Sequence, residues 1–198
     1  EMYRAQSNWG KALQESGHWD EALFAYKKAI ELDPRHGGAY NNLATIHHLR
    51  GNLSEAILWY EKALERYPDY EEIHQNLADA HAQRGDLAAA ITAYQRALEK
   101  NPQRGEIWSN YGQALYRGQR TEEAEAAFLR AVELMPELAE PYNNLGNIYA
   151  DRREYTQALS MYSAALVRAP HARGQVLVHM ATTHAALGHI DSARALVQ

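Results

Sequence analysis

The chain has 198 residues, a formal charge of −5, an isoelectric point near 6.1 and no cysteine. Without cysteine there are no disulfides, thiolate metal sites or cysteine nucleophile, and the acidic balance gives no basic face of the kind that sequence-independent nucleic-acid binding requires. No apolar run reaches the ~18 residues that a membrane-spanning helix needs.

The first cycle, residues 3–36, sets a register of Gly10, Ala22, Tyr26, Ala29 and Pro34. The second, 37–70, repeats it 34 residues later as Ala44, Ala56, Tyr60, Ala63 and Pro68. Leu43, Ile46 and His47 share a face at helical spacing with Tyr40 one turn earlier, and Ala56, Ile57, Tyr60, Ala63 and Leu64 do the same in the second half. Gly51-Asn52 separates the two patterns, because glycine tolerates the left-handed turn that ends a helix. Pro68 closes the cycle, because its ring and missing N–H stop helix propagation. Each cycle therefore predicts an antiparallel pair of helices of about 14 residues with short links.

The third cycle, 71–104, keeps the register with Ala78, Ala90, Tyr94, Ala97 and Pro102. The fourth, 105–138, keeps it with Gly112, Ala124, Phe128, Ala131 and Pro136, but its turn glycine, Gly118, comes one residue early. The fifth, 139–172, carries Gly146, Ala158, Tyr162, Ala165 and Pro170, with Arg153 where the turn glycine belongs. A partial sixth, 174–198, follows a one-residue insertion, since Ala158 and Ala193 lie 35 apart. A fixed period of this length marks a solenoid, and one hairpin cannot bury its apolar stripe alone, so neighbours must stack. About twelve helices and no strand are expected, in one array over 1–198. Glu1 and the unfinished sixth cycle suggest a piece of a longer protein.

These residues resemble the tetratricopeptide repeat family, whose pattern is followed by Asn42-Leu43-Ala44, Gly51, Ala56, Tyr60, Ala63 and Pro68. The resemblance implies an all-α, right-handed superhelical solenoid of helix-turn-helix hairpins, with first helices lining a concave surface. It says little about function by itself.

One polar column stands out on the first helices: Asn8, Asn42, Asn76, Asn110 and Asn144. Asparagine is a mediocre helix former, so five in register want a reason. Its side chain copies a peptide group, one acceptor and two donors, and can pair with an extended backbone whatever side chains that backbone carries. Stacked helices lie ~8–10 Å apart and an extended strand advances ~3.3 Å per residue, so one asparagine meets about every third ligand residue. Such a ladder is similar to that of the O-linked N-acetylglucosamine transferases, where the superhelix holds substrate peptide. The apolar neighbours Trp9, Leu43, Leu77, Tyr111 and Leu145 are expected to face the core. Ser7, Asn41, Gln75, Ser109 and Asn143 precede the column, and Lys11, Thr45, Asp79, Gln113 and Asn147 follow it, so Asn41, Asn143 and the latter five join the candidate peptide-binding set. Co-chaperone members of the family clamp a carboxylate with lysine, arginine and asparagine. Gly38, Asn41, Glu72 and Gln75 supply no such cations here, so binding of heat-shock chaperone tails is not expected.

His47, His81 and His184 share a column with Leu13, Leu115 and Tyr149, which makes them packing residues rather than metal ligands. No His-Glu-x-x-His, Gly-x-Ser-x-Gly or phosphate-cradling glycine loop occurs. The expectation is a binding scaffold for protein or extended peptide in the cytoplasm. It should have no enzymatic activity, cofactor or metal, and no nucleic-acid or membrane partner. Two alternatives stand beside it: the recognition arm of a larger glycosyltransferase-like enzyme, and a self-assembly module. In the second, Ile190, Ala193 and Leu196 of the last repeat would be partly bare and form a homo-oligomer.

Overall fold

Every cycle folds as an antiparallel helix pair in a computed structural model that describes residues 1–170 and 173–196. Among these residues there is no strand. The chain divides into two compact units, Glu1–Pro102 and Gln103–Gln198. The first holds α1 (Met2–Glu15), α2 (Trp19–Leu32), α3 (Gly37–Leu49), α4 (Leu53–Leu64), α5 (Glu71–Arg84) and α6 (Leu87–Lys100). The second holds α7 (Gly105–Arg117), α8 (Thr121–Leu134), α9 (Ala139–Asp151), α10 (Tyr155–Arg168), α11 (Arg173–Ala186) and α12 (Ile190–Leu196).

The turn inside each hairpin has one geometry. Gly17, Gly51, Gly85 and Gly188 adopt positive φ, and the N–H after each reaches back to the last turn of the first helix, as in Asn52 N–H to the His47 carbonyl at 2.9 Å. This is the Schellman closure, which satisfies helix-end carbonyls and requires a left-handed residue. Because Gly118 is one residue early, with φ −81°, Gln119 takes the left-handed position at φ 62°. Arg153 takes it in the fifth repeat at φ 63°. The matching closures run from Arg120 N–H to Leu115 O and from Glu154 N–H to Tyr149 O, at 2.9 and 2.8 Å. The second helices stop before Pro34, Pro68, Pro102, Pro136 and Pro170, as the register predicts.

The repeat columns are the core. No residue of the two alanine columns or of the column Tyr26, Tyr60, Tyr94, Phe128, Tyr162 exceeds 2% exposure. The small column on the first helices explains how an aromatic ring fits between helices. A Cβ on Gly146 would lie 2.5 Å from the Tyr162 ring, and one on Gly112 would lie 2.8 Å from Phe128. Glycine there lets the ring rest on the backbone of the first helix.

In the first unit α2 packs on α3 and α4 on α5, so α1, α3 and α5 run side by side. In the second, α8 packs on α9 and α10 on α11, which aligns α7, α9 and α11. Trp9 departs from the expected core placement and is 48% exposed. It lies on α1, the first helix of its unit.

Candidate functional site

The asparagine column lies on the aligned first helices of each unit. In the first unit Asn8 is exposed, whereas Asn42 and Asn76 are half-buried. Asn76 Nδ2 donates to Asn41 Oδ1 at 3.4 Å, across consecutive repeats. Burial pushes the Tyr26 hydroxyl up to about 12, with a hydrogen bond from the Asn42 amide opposing that rise. Tyr26 itself donates to Gln14 Oε1 at 3.0 Å. In the second unit Asn110 and Asn144 are half-buried, and His179 of α11, one repeat beyond Asn144, stands 3.2 Å from Asn143 Oδ1 through Nδ1.

Each unit has a cleft on this face. One of about 400 Å³ in the first unit is lined by Asn41 and Asn42 together with His36, Gly38, Tyr67, Tyr70, Glu72 and Ile73. One of about 310 Å³ in the second brings together Gln113, Asn143, Asn144 and Asn147, with Glu140 and Gln175 at its wall. Sequence reasoning named four of the five amides of that second cleft and missed Gln175.

The two flanking columns differ in what they touch. Ser7 and Ser109 are buried, and Ser7 Oγ lies 3.1 Å from His36 Nε2 of the next repeat. The column before the ladder is therefore where repeats bond to one another: Ser7 with His36, Asn41 with Asn76, Asn143 with His179. The column after the ladder is committed in part to the aromatic core. Thr45 accepts from the Tyr60 hydroxyl at 3.3 Å, Asp79 from Tyr94, and Asn147 from Tyr162 at 2.9 Å. Burial pushes the Tyr60 and Tyr162 hydroxyls up to about 12. Lys11 is exposed and 4.0 Å from Glu15, and Gln113 is exposed toward the second cleft. Thr45, Asp79 and Asn147 thus carry a packing role that periodicity alone does not reveal, because it shows up only when the second helix is laid against the first.

His47, His81 and His184 occupy the packing column, half-buried; the Nδ1 of His47 and of His184 is shielded from solvent without a hydrogen-bond partner, while that of His81 lies 3.6 Å from an Asp86 carboxylate oxygen. Burial lowers the pKa of His47 and His179. It also lowers that of His36, where Asp33 opposes the shift. Among the described residues no three histidine, aspartate or glutamate side chains converge as a metal site, and no helix is long and apolar enough to cross a membrane.

The folds of known proteins agree with this architecture. A structure of YrrB, described as a TPR protein with an unusual peptide-binding site, is 26% identical with a TM-score of 0.75, over 84% of this chain and 86% of that one. A structure of MamA is 23% identical with a TM-score of 0.77, over 80% of this chain and 93% of that one. PilF of Pseudomonas aeruginosa is 18% identical with a TM-score of 0.84, over 98% of this chain and 88% of that one. None of the curated proteins compared matches the sequence. A tetratricopeptide repeat model matches residues 7–71 and 76–139, and further models of the same repeat match 59–92, 138–169 and 174–198. With repeat matches along nearly its whole length and hairpins closed by one turn geometry, the chain belongs to the tetratricopeptide repeat family.

Proposed function

We propose that the chain is a protein-interaction scaffold that holds extended peptide segments against the asparagine face of its first helices, binding them without chemical change. The observation that carries this reading is the second cleft, where Gln113, Asn143, Asn144 and Asn147 present amides to one open space. Amides suit the backbone of a ligand better than any one side chain, because they supply the donors and acceptors that a peptide group loses when it leaves water, although the Asn147 oxygen already accepts from Tyr162 and the Asn143 oxygen lies 3.2 Å from His179. The likeness to YrrB, whose structure is described by its peptide-binding site, supports the reading. In the first unit Asn8, Asn42 and Asn76, with Asn41, Lys11, Thr45 and Asp79 beside them, form the corresponding face.

Binding is expected to be of micromolar order. Each amide pair contributes about 0.5–1.5 kcal/mol net, offset by the ordering of the peptide. The test replaces Asn42, Asn76, Asn110 and Asn144 together with alanine. Alanine is the better helix former, which counters the inter-repeat bond lost at Asn76, so the helical circular dichroism signal should be kept while capture of an unstructured neutral peptide falls at least tenfold. Unchanged capture by the folded quadruple variant would remove the ladder from the binding site.

A further inference from the structure

Three departures from the repeat converge in the first unit. Where the other cycles carry Arg4, Glu72, Glu106 and Glu140, the second carries Gly38. Where they carry Asp33, Asn101, Met135 and Ala169, it carries Tyr67, and where they carry His36, Arg104 and Leu138, it carries Tyr70. All three residues line the same cleft of about 400 Å³. The neighbouring Gly37 is part of the device: a Cβ there would lie 2.4 Å from the Tyr67 ring, so its absence lets that ring lie on the α3 backbone. A Cβ on Gly38 would meet the His36 ring at 3.6 Å, and a longer side chain would grow into the open space. The Tyr67 and Tyr70 rings stand 6.4 Å apart at 43°, and both are substantially exposed at 43% and 54%. The Tyr67 ring packs on Gly37 as Met135 packs on Gly105 two cycles later, but that contact does not account for two tyrosine rings so exposed at one cleft.

The chemistry of the walls selects the occupant. Glu72 is exposed and is the one carboxylate among the lining residues, with no Lys or Arg among them. Asn41 and Asn42 add amide oxygens, and the tyrosine faces present the negative side of their quadrupoles. His36 adds no opposing charge near neutral pH, because burial lowers its pKa. The carboxylate, amide oxygens and ring faces of the cleft favour a cation, and the nearest basic residue, Arg66, shares the adjoining pocket of Tyr67 and Tyr70 with Asp69. The choice of cation follows from shape. A guanidinium is flat, weakly hydrated and able to stack on a ring while its edge forks to a carboxylate, whereas an ammonium is a strongly hydrated point charge. The chain stacks arginine on tyrosine internally, with Arg66 over Tyr40 at 4.6 Å and Arg168 over Tyr142 at 3.9 Å, their edges bonded mainly to backbone carbonyls.

We propose that this cleft is a specificity subsite that takes one arginine side chain of the bound peptide, stacked against Tyr67 and Tyr70 and paired with Glu72. The proposal rests on the peptide-binding reading and adds to it a sequence preference that a backbone ladder lacks. Because Asn41 and Asn42 line both the ladder and the cleft, a peptide running along the first helices passes its side chains over the opening.

The test uses two twelve-residue unstructured peptides of Gly, Ser and Thr that differ at one central position, arginine or its neutral isostere citrulline, with a lysine version as a third. The arginine peptide is expected to bind roughly tenfold tighter than citrulline, and severalfold tighter than lysine, in line with a solvent-exposed cation–π contact added to a charge-assisted hydrogen bond. Tyr70→Ala, at a half-exposed ring, should erase the arginine advantage over citrulline. Glu72→Gln should reduce it, and Gly38→Arg, which restores the residue of the first cycle, should abolish it. A titration with N-acetyl-arginine amide, followed by the tyrosine ring signals in NMR, reads the cleft without the ladder, and saturable shifts at Tyr67 and Tyr70 are expected. Loss of citrulline-peptide binding in the quadruple asparagine variant reports on the ladder alone. Equal affinity for arginine and citrulline, an arginine advantage that survives both Tyr70→Ala and Gly38→Arg, equal binding of lysine, or an absence of ring shifts with the free arginine amide would each overturn the proposal.

Discussion

A histidine that packs where leucine packs elsewhere costs the fold something. His47 shares its column with Leu13 and Leu115, and its Nδ1 is shielded from solvent without a partner. An unsatisfied buried polar atom costs about 1–3 kcal/mol, and His47 is only half-buried, so the lower end applies. His47→Leu should therefore stabilise the protein by about 1 kcal/mol, seen as a rise in the urea midpoint, and a fall would show that the ring makes a bond that leucine cannot. Arg153 stands at φ 63°, a conformation that costs an L residue roughly 1–2 kcal/mol and glycine almost nothing. Arg153→Gly gives some of that back to the unfolded chain, leaving an expected net gain of up to ~1 kcal/mol by thermal melting. Both positions were legible in the sequence as breaks in a column. The roles of Thr45, Asp79 and Asn147 were not, because residues of those three types share no property in a linear register. What unites them is a tyrosine hydroxyl fifteen residues further on, within reach only after folding.

At the scale of the hairpin, the tyrosine on the second helix joins its two halves. Tyr60 is 1% exposed and hydrogen-bonded to Thr45. Tyr60→Ala should cost roughly 3–5 kcal/mol, as removal of large core aromatics does. Tyr60→Phe should cost only about 0.5–1.5 kcal/mol, the net contribution of one hydrogen bond, because the fourth repeat folds with Phe128 in that place. Equal losses in the two variants, read from urea unfolding, would move the weight from ring to hydroxyl. The hairpins themselves were plain from the sequence, since proline, glycine and alanine each act locally through backbone geometry or size. The bonds between hairpins were hidden, because Ser7 to His36 and Asn143 to His179 pair unlike residues across an element boundary.

Across the whole molecule, the buried histidines set a direction for the response to acid. His36, His47 and His179 are held below the ordinary imidazole value, mainly by burial. The folded state thus prefers them neutral, while the unfolded chain protonates near about pH 6.5. Their contribution is fully present above that value and is lost as pH falls through the lowered folded values. The melting temperature should be level between about pH 7 and 8 and should decline from about pH 6.5 toward 5. Asp69, Asp86 and Glu123, held low by hydrogen bonds from Lys100, Arg84 and Arg120, extend the loss only below the ordinary carboxylate range. A melting temperature that climbs on mild acidification would contradict this. Stoichiometric zinc, in turn, should produce no saturable rise in melting temperature, because among the described residues no three histidine, aspartate or glutamate side chains converge. The Tyr60–Thr45, Tyr94–Asp79 and Tyr162–Asn147 bonds have one further implication, for inheritance. Each closes inside its own cycle, so recombination that copies or drops a 34-residue unit carries the lock along with the helices it secures. A cycle that has diverged, as the second has at Gly38, Tyr67 and Tyr70, can then be kept as a single distinctive copy among interchangeable ones.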